Sequence, residues 1–263
     1  MSDRIKRIKA CLNGKRGRDE HPGVPVTPAE LAASAAAAVA AGAEAVHLHA
    51  RGADGAESVL AADIGAAVTA VRLACPGTPV GVSTGLWITG GDVEARQVAV
   101  AGWADLPGPA RPDFASANVS EPGLADLLGA LSAAGVAVEA GVWSVADAET
   151  LAALGPSVPP TAASGPGMPW LRILVEIMGA PAAGAVAAAD EVLRRLDELG
   201  VTAPRLLHGE EAGCWPLVVR AGELGLPTRI GLEDTITGPG AAAVTGNAEL
   251  IQLALPIWAA AAT

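Results

Sequence analysis

The chain has 263 residues, 51% hydrophobic and 17% charged, which is enough apolar content to bury a sizeable core and too much for intrinsic disorder. Its formal charge of −11 excludes the basic face that a nucleic-acid partner needs, and any anionic small molecule must be held by locally placed arginines. No stretch reaches the roughly 18 uninterrupted apolar residues of a membrane-spanning helix, so no membrane partner is expected.

Short β-branched runs alternate with alanine-rich helical stretches eight times along the chain. The N-terminal MSDRIKRIKACLN is basic and has no apolar run of signal-peptide length, and Cys11, Cys75 and Cys214 are odd in number and far apart. A cytoplasmic protein with reduced, buried thiols is therefore expected.

The predicted strands are Ile5–Asn13, Ala45–Arg51, Val80–Thr84, Phe114–Asn118, Ala137–Val142, Leu171–Ile177, Arg205–His208 and Thr228–Glu233. The clearest helix follows the first of them: Thr27 is its N-cap, Pro28 its first residue, Glu30 completes a capping box and Gly42 ends it. Later helices are predicted over Pro122–Ala134, Val145–Leu154 and Ala187–Leu199.

Eight strand-helix units predict one parallel sheet closed into a (β/α)8 TIM barrel, a single domain spanning 1–263. An open doubly wound sheet would show a GxGxxG turn opening the first helix, and LNGKRGRDEHPGVP lacks that spacing. Two long loops interrupt the rhythm. Gly14–Val26 follows the first strand and should lie on the active face, whereas Gly155–Pro169 is read as a connection on the opposite face or an oligomer contact.

A barrel gathers its catalytic groups at the C-terminal ends of its strands. Here those ends carry Asn13; His47, His49 and Arg51; Ser83 and Thr84; Ser116 and Asn118; His208; and the run Arg229–Asp234, with Glu139 inside the fifth strand. His47 and His49 are two apart, so in a strand both imidazoles face one way. By itself that pattern equally describes two histidines bonded to backbone carbonyls. An inward Glu233 beside them would complete two imidazoles and one carboxylate, the ligand set of a catalytic zinc, with Gly231 leaving space for metal and substrate. Asp234, paired with Arg229, is then placed as a general base.

HLHAR at 47–51, VPVTPAELA at 24–32, VSTG at 82–85, FASANVS at 114–120, RIGLEDT at 229–235 and NAELI at 247–251 together resemble the β-keto acid cleavage enzymes. The resemblance runs nearly the whole length, with the motifs in order. It implies a TIM barrel with Zn2+ on His47, His49 and Glu233, condensing a β-keto acid with acetyl-CoA to give acetoacetate and a new acyl-CoA. It makes Asp234 the base, Arg229 its assistant, and Ser83 and Thr84 the groups that hold the keto acid's carboxylate or keto oxygen. Glu139 is added as a further catalytic carboxylate, and Arg51, Asn13, Ser116 and Asn118 as substrate-binding residues. A homo-tetramer is implied as well. The competing reading is a metal-dependent aldolase or hydrolase on the same barrel that uses no CoA.

Three departures from the family pattern stand out. Leu86 and Trp87 follow Gly85, Gly141 stands where a second acid is common, and the first loop offers Lys15, Arg16 and Arg18. The last of these points either to a neutral or anionic substrate side chain rather than a cationic one, or equally to cations that coat the loop or meet the CoA phosphates.

Overall fold

The structure is a computed structural model that describes residues 5–154 and 170–262. The predicted Gly155–Pro169 connection lies outside them. Eight strands are present: β1 (Ile8–Cys11), β2 (Ala45–Leu48), β3 (Val80–Ser83), β4 (Phe114–Asn118), β5 (Ala137–Val142), β6 (Arg172–Ile177), β7 (Arg205–Gly209) and β8 (Thr228–Ile230). All pair in parallel, in the order β7-β6-β5-β4-β3-β2-β1-β8. The two ends of this sheet meet, because the Leu207 amide donates to the Pro227 carbonyl (3.0 Å) and the Thr228 hydroxyl to the Leu207 carbonyl (2.8 Å). The predicted (β/α)8 barrel is the observed fold.

Eight helices surround the sheet: α1 (Pro28–Ala40), α2 (Ala61–Ala74), α3 (Val93–Ala101), α4 (Leu124–Ala133), α5 (Val145–Leu154), α6 (Ala182–Glu198), α7 (Cys214–Glu223) and α8 (Asn247–Ala261). The capping box of α1 forms as predicted: Thr27 accepts from the Glu30 amide, and the Glu30 carboxylate accepts from the Thr27 and Val26 amides at 2.9 and 3.0 Å. Those backbone donors, with Arg18, hold the Glu30 carboxyl down at about 2. α4 starts two residues later than predicted, because the Pro122 carbonyl is taken by Arg96 (2.6 Å) and Gly123 adopts φ 74°. α6 starts five residues earlier than predicted, directly after Pro181.

β4 and β5 end where predicted, whereas β1, β2 and β8 are shorter. Their polar tips, Asn13, His49, Arg51 and Glu233, lie past the last pair of the parallel ladder. A strand reading follows alternation of apolar and polar residues, and these tips continue the alternation after the backbone hydrogen bonds have stopped.

The main core lies between sheet and helices, where Val46, Leu48, Val82 and Leu207 meet Leu31, Ile64, Leu127, Leu217 and Leu250. A second cluster, including Ile5, Ala45, Phe114, Ala137 and Leu206, fills the barrel toward the start of the strands. Phe114 is the chain's single Phe. Its ring occupies space that only a glycine at 81 leaves, since a Cβ there would stand 1.9 Å from it. Lys9 Nζ and the Arg172 guanidinium lie 5.5 and 5.6 Å from the ring centroid. Both cations also bind Glu139, at 2.5 and 2.6 Å. Burial alone would raise the Glu139 carboxyl, but Lys9 and Arg172 outweigh it and hold the group below the ordinary carboxylate range.

Removing one partner of a buried ion pair typically costs about 3–5 kcal/mol. Glu139→Leu, which removes the carboxylate that Lys9 and Arg172 share, is expected to lower unfolding stability by about that much in urea, whereas Lys9→Met, which leaves Glu139 paired with Arg172, should cost less. A single mutant as stable as the parent would show that the triple contributes nothing.

Candidate active site

The two histidines are fixed by different devices. His47 belongs to β2 and is 1% exposed. His49 lies one residue past the ladder, and there the Asn13 side chain replaces the missing strand partner. It accepts from the His49 amide and donates to the His49 carbonyl, both at 2.9 Å, and it donates to the Pro25 carbonyl at 3.1 Å. After Arg51 the chain turns through Gly52–Gly55 and returns antiparallel, pairing Arg51 with Glu57. The return brings Glu57 Oε1 to 2.5 Å from His49 Nδ1. The other Glu57 oxygen accepts from the Trp87 indole at 3.1 Å, and Trp87 stacks on the His49 ring with centroids 6.3 Å apart.

β8 stops at Ile230, and residues 231–235 form a helical turn in which the Asp234 and Thr235 amides both bond the Gly231 carbonyl. Gly231 is required by backbone contact: a Cβ there would lie 1.8 Å from the Cys11 carbonyl oxygen. The expected role of leaving room for metal and substrate is not the one it plays. Asp234 shares a guanidinium with Glu233. Arg229 donates from Nη2 to Glu233 Oε1 (2.9 Å), and from Nε and Nη2 to Asp234 Oδ1 (3.0 and 2.7 Å). Glu233 Oε2 and Asp234 Oδ2 are buried without a hydrogen-bond partner.

Nε2 of His47 lies 3.8 Å from Glu233 Oε2, and Nε2 of His49 lies 3.7 Å from Glu233 Oε1. Burial pushes His47 well below the usual imidazole value. Burial would also lower His49, but Glu233 and Glu57 override it and lift the ring to about 9. The two neighbouring carboxyls diverge. Burial raises both, yet Arg229 and the histidines drive Glu233 well below its normal range, whereas Asp234 ends above its own despite Arg229. Charge pairing therefore does not hold Asp234 at an ordinary acidity, contrary to the expectation from its partner alone.

Behind them His208 Nε2 stands 3.1 Å from Glu176 Oε2 and its Nδ1 stands 3.8 Å from Asp234 Oδ1, neither aligned as a hydrogen bond. Gly141 leaves the space that Asn118 and Glu176 occupy, since a Cβ there would be 2.7 Å from an oxygen of each.

These groups line a cavity of about 470 Å³ at the C-terminal ends of the strands. Of the candidate residues, His47, His49, Ser83, Ser116, Asn118, Arg229, Glu233 and Asp234 border it. Thr84, Asn13, Arg51 and Glu139 are not among its lining. Thr84 donates its hydroxyl to the Ser116 carbonyl (2.6 Å), and Arg51 pins the first loop through the Gly14 and Arg16 carbonyls (2.5 and 3.0 Å). Glu139 is held in the ion triple deeper in the barrel. Glu57 and Glu176 were missed from the sequence. Glu176 carried a signal, a lone carboxylate in the apolar run LRILVEI; Glu57 carried none, because its reach depends on the hairpin.

Comparison with known proteins matches residues 7–262 to the family model described as beta-keto acid cleavage enzyme. The chain belongs to the β-keto acid cleavage enzyme family. No curated protein matches it. Among solved structures, a binary complex of ObcA with oxaloacetate is similar, with 17% identity, a TM-score of 0.68, and coverage of 88% of this chain and 63% of that one. A ternary complex of ObcA with a C4-CoA adduct and oxalate gives the same figures. This chain therefore spans less than two thirds of the length of those proteins. The 3-dehydroquinate dehydratase of Aquifex aeolicus VF5 shares the barrel at 12% identity and a TM-score of 0.56, over 95% of this chain and 96% of that one. At these identities the likeness is one of fold.

In this member of the β-keto acid cleavage enzyme family, His47, His49 and Glu233 could hold a metal ion: their ligand atoms all lie within 4.8 Å of one another. Ligands sharing a tetrahedral zinc at roughly 2.0–2.1 Å stand about 3.4 Å apart. The 3.7 and 3.8 Å separations, too long for hydrogen bonds, suit such a group, as does the unpartnered Glu233 Oε2. Glu57 on the far nitrogen of His49 supplies the carboxylate that usually orients a ligating imidazole. Glu57→Gln is expected to weaken binding of a divalent metal ion, measured by chelator competition, about 10- to 100-fold with the fold intact. Unchanged affinity would remove Glu57 from that role.

Proposed function

We propose that the protein exchanges a β-keto acid with acetyl-CoA, giving acetoacetate and a new acyl-CoA, with zinc as its resident ion. The observation that carries the reading is the convergence of His47, His49 and Glu233 beside an Asp234 whose free oxygen is buried at the same cavity. Family membership and the ObcA complexes with oxaloacetate and a C4-CoA adduct support it. Free, buried Cys11, Cys75 and Cys214 agree with work in the reducing cytoplasm.

When bound, zinc supplies a Lewis acid that polarises the keto oxygen and acidifies the neighbouring C–H. His47, His49 and Glu233 would hold it. Asp234 Oδ2 takes the C2 proton of the keto acid, while Arg229 keeps Oδ1 occupied so that only one oxygen faces the substrate. Ser83, Ser116 and Asn118 offer hydroxyl and amide groups to the carboxylate. C2 then attacks the acetyl carbonyl and expels CoA thiolate. The thiolate adds to the original keto carbon, the C2–C3 bond breaks, and Asp234 returns its proton to C2. No protein nucleophile enters this sequence.

Acetoacetate formation by the zinc-loaded protein should require both a β-keto acid and acetyl-CoA. Glu233→Gln is expected to lose zinc and turnover together, and Asp234→Asn to keep zinc while losing turnover about 10²- to 10⁴-fold. Keto acid consumption without acetyl-CoA would favour the aldolase or hydrolase reading instead.

A further inference from the structure

The cavity is divided by charge. Lys15, His47, His49, Glu210, Arg229, Glu233 and Asp234 border it from the ends of β1, β2, β7 and β8. The opposite side, after β3 to β6, presents Ser83, Trp87, Ser116, Asn118, Trp143 and Met178 with one carboxylate, Glu176. That carboxylate lies against His208 and 3.9 Å from Arg229. Trp87 and Met178 are 44% and 39% exposed, which is unusual for large apolar side chains, and both stand at this one opening.

The cations of the first loop do not reach across. Arg16 pairs with Glu20 and Glu211, and Arg18 with Glu30. Lys15 alone borders the cavity, on the same ionic side as the half-buried Glu210.

From this division, and resting on the β-keto acid reading above, we infer that the substrate carries an uncharged alkyl or aryl tail, seated against Trp143 and Met178 with Trp87 closing the side toward His49. With its keto group toward the ionic half and its carboxylate on Ser83, Ser116 and Asn118, the substrate sends its C3 substituent toward the remaining lining, Trp143 and Met178. A charged tail would lose its hydration there without a free counter-ion to replace it. A flat or extended hydrocarbon instead covers apolar surface that is otherwise wet.

The test compares 3-oxooctanoate, 3-oxoadipate and 6-amino-3-oxohexanoate on the zinc-loaded protein with acetyl-CoA. The alkyl compound should have a kcat/KM at least about tenfold above either charged one, a difference within reach of a few buried methylenes. Trp143→Ala should raise KM for 3-oxooctanoate about fivefold, with kcat and the KM of the short 3-oxopentanoate nearly unmoved. Equal or greater turnover of 3-oxoadipate or of the amino compound would overturn the inference and leave the keto acid reading standing. Turnover of none of the four would remove that reading and this one with it.

Discussion

A guanidinium buried at the end of β8 holds two consecutive carboxylates of one turn, and the functional half of the cavity depends on that contact. Arg229 is 5% exposed, and its fork engages one oxygen of Glu233 and one of Asp234. The second oxygen of each is left unbonded. Adjacent carboxylates would otherwise repel one another in a medium that screens little. The shared cation lets both stand together, and it divides their work: Glu233 is held strongly ionised beside the imidazoles, while Asp234, deeper, is the more basic of the pair.

Charge below the site is arranged by the same rule. Lys9 and Arg172, from two strands, share the Glu139 carboxylate of a third beside the Phe114 ring, and Glu176 lies between His208 and Arg229 above them. Each inward charge in the barrel stands near an opposite one. Buried ions cost several kcal/mol each when unpaired, so the interior can be this polar only because its strands supply both signs at matching heights. The register provides this where Glu139 pairs in the ladder with Arg172, and it sets Glu176 opposite His208.

Much of the fold was legible because its signals are local. Alternating apolar runs located all eight strands, and Thr27, Pro28 and Glu30 marked the start of α1 to the residue. The histidine pair could be read because two residues apart in a strand means one face. What sequence could not give was register and return. Glu139 looked catalytic as an isolated acid, because nothing along the chain says that Lys9, 130 residues earlier, ends within bonding distance. Glu57 was invisible because a hairpin brings it back to His49. Glu233 was read onto a strand that in fact stops at Ile230, and in the observed turn Arg229 bonds both Glu233 and Asp234.

The two sides of the opening rest on different strands and meet through Glu176, which lies against His208 and Arg229, and Trp87, which stacks on His49. Trp143 and Met178 follow β5 and β6, and the turn that Gly231 locks against Cys11 follows β8. Trp143 and Met178 can be exchanged without touching the Arg229, Glu233 and Asp234 contacts, whereas Trp87 is tied to His49 and Glu57. The scaffold has a modular economy: one unchanging reaction centre can be handed new clients by editing a few rim positions.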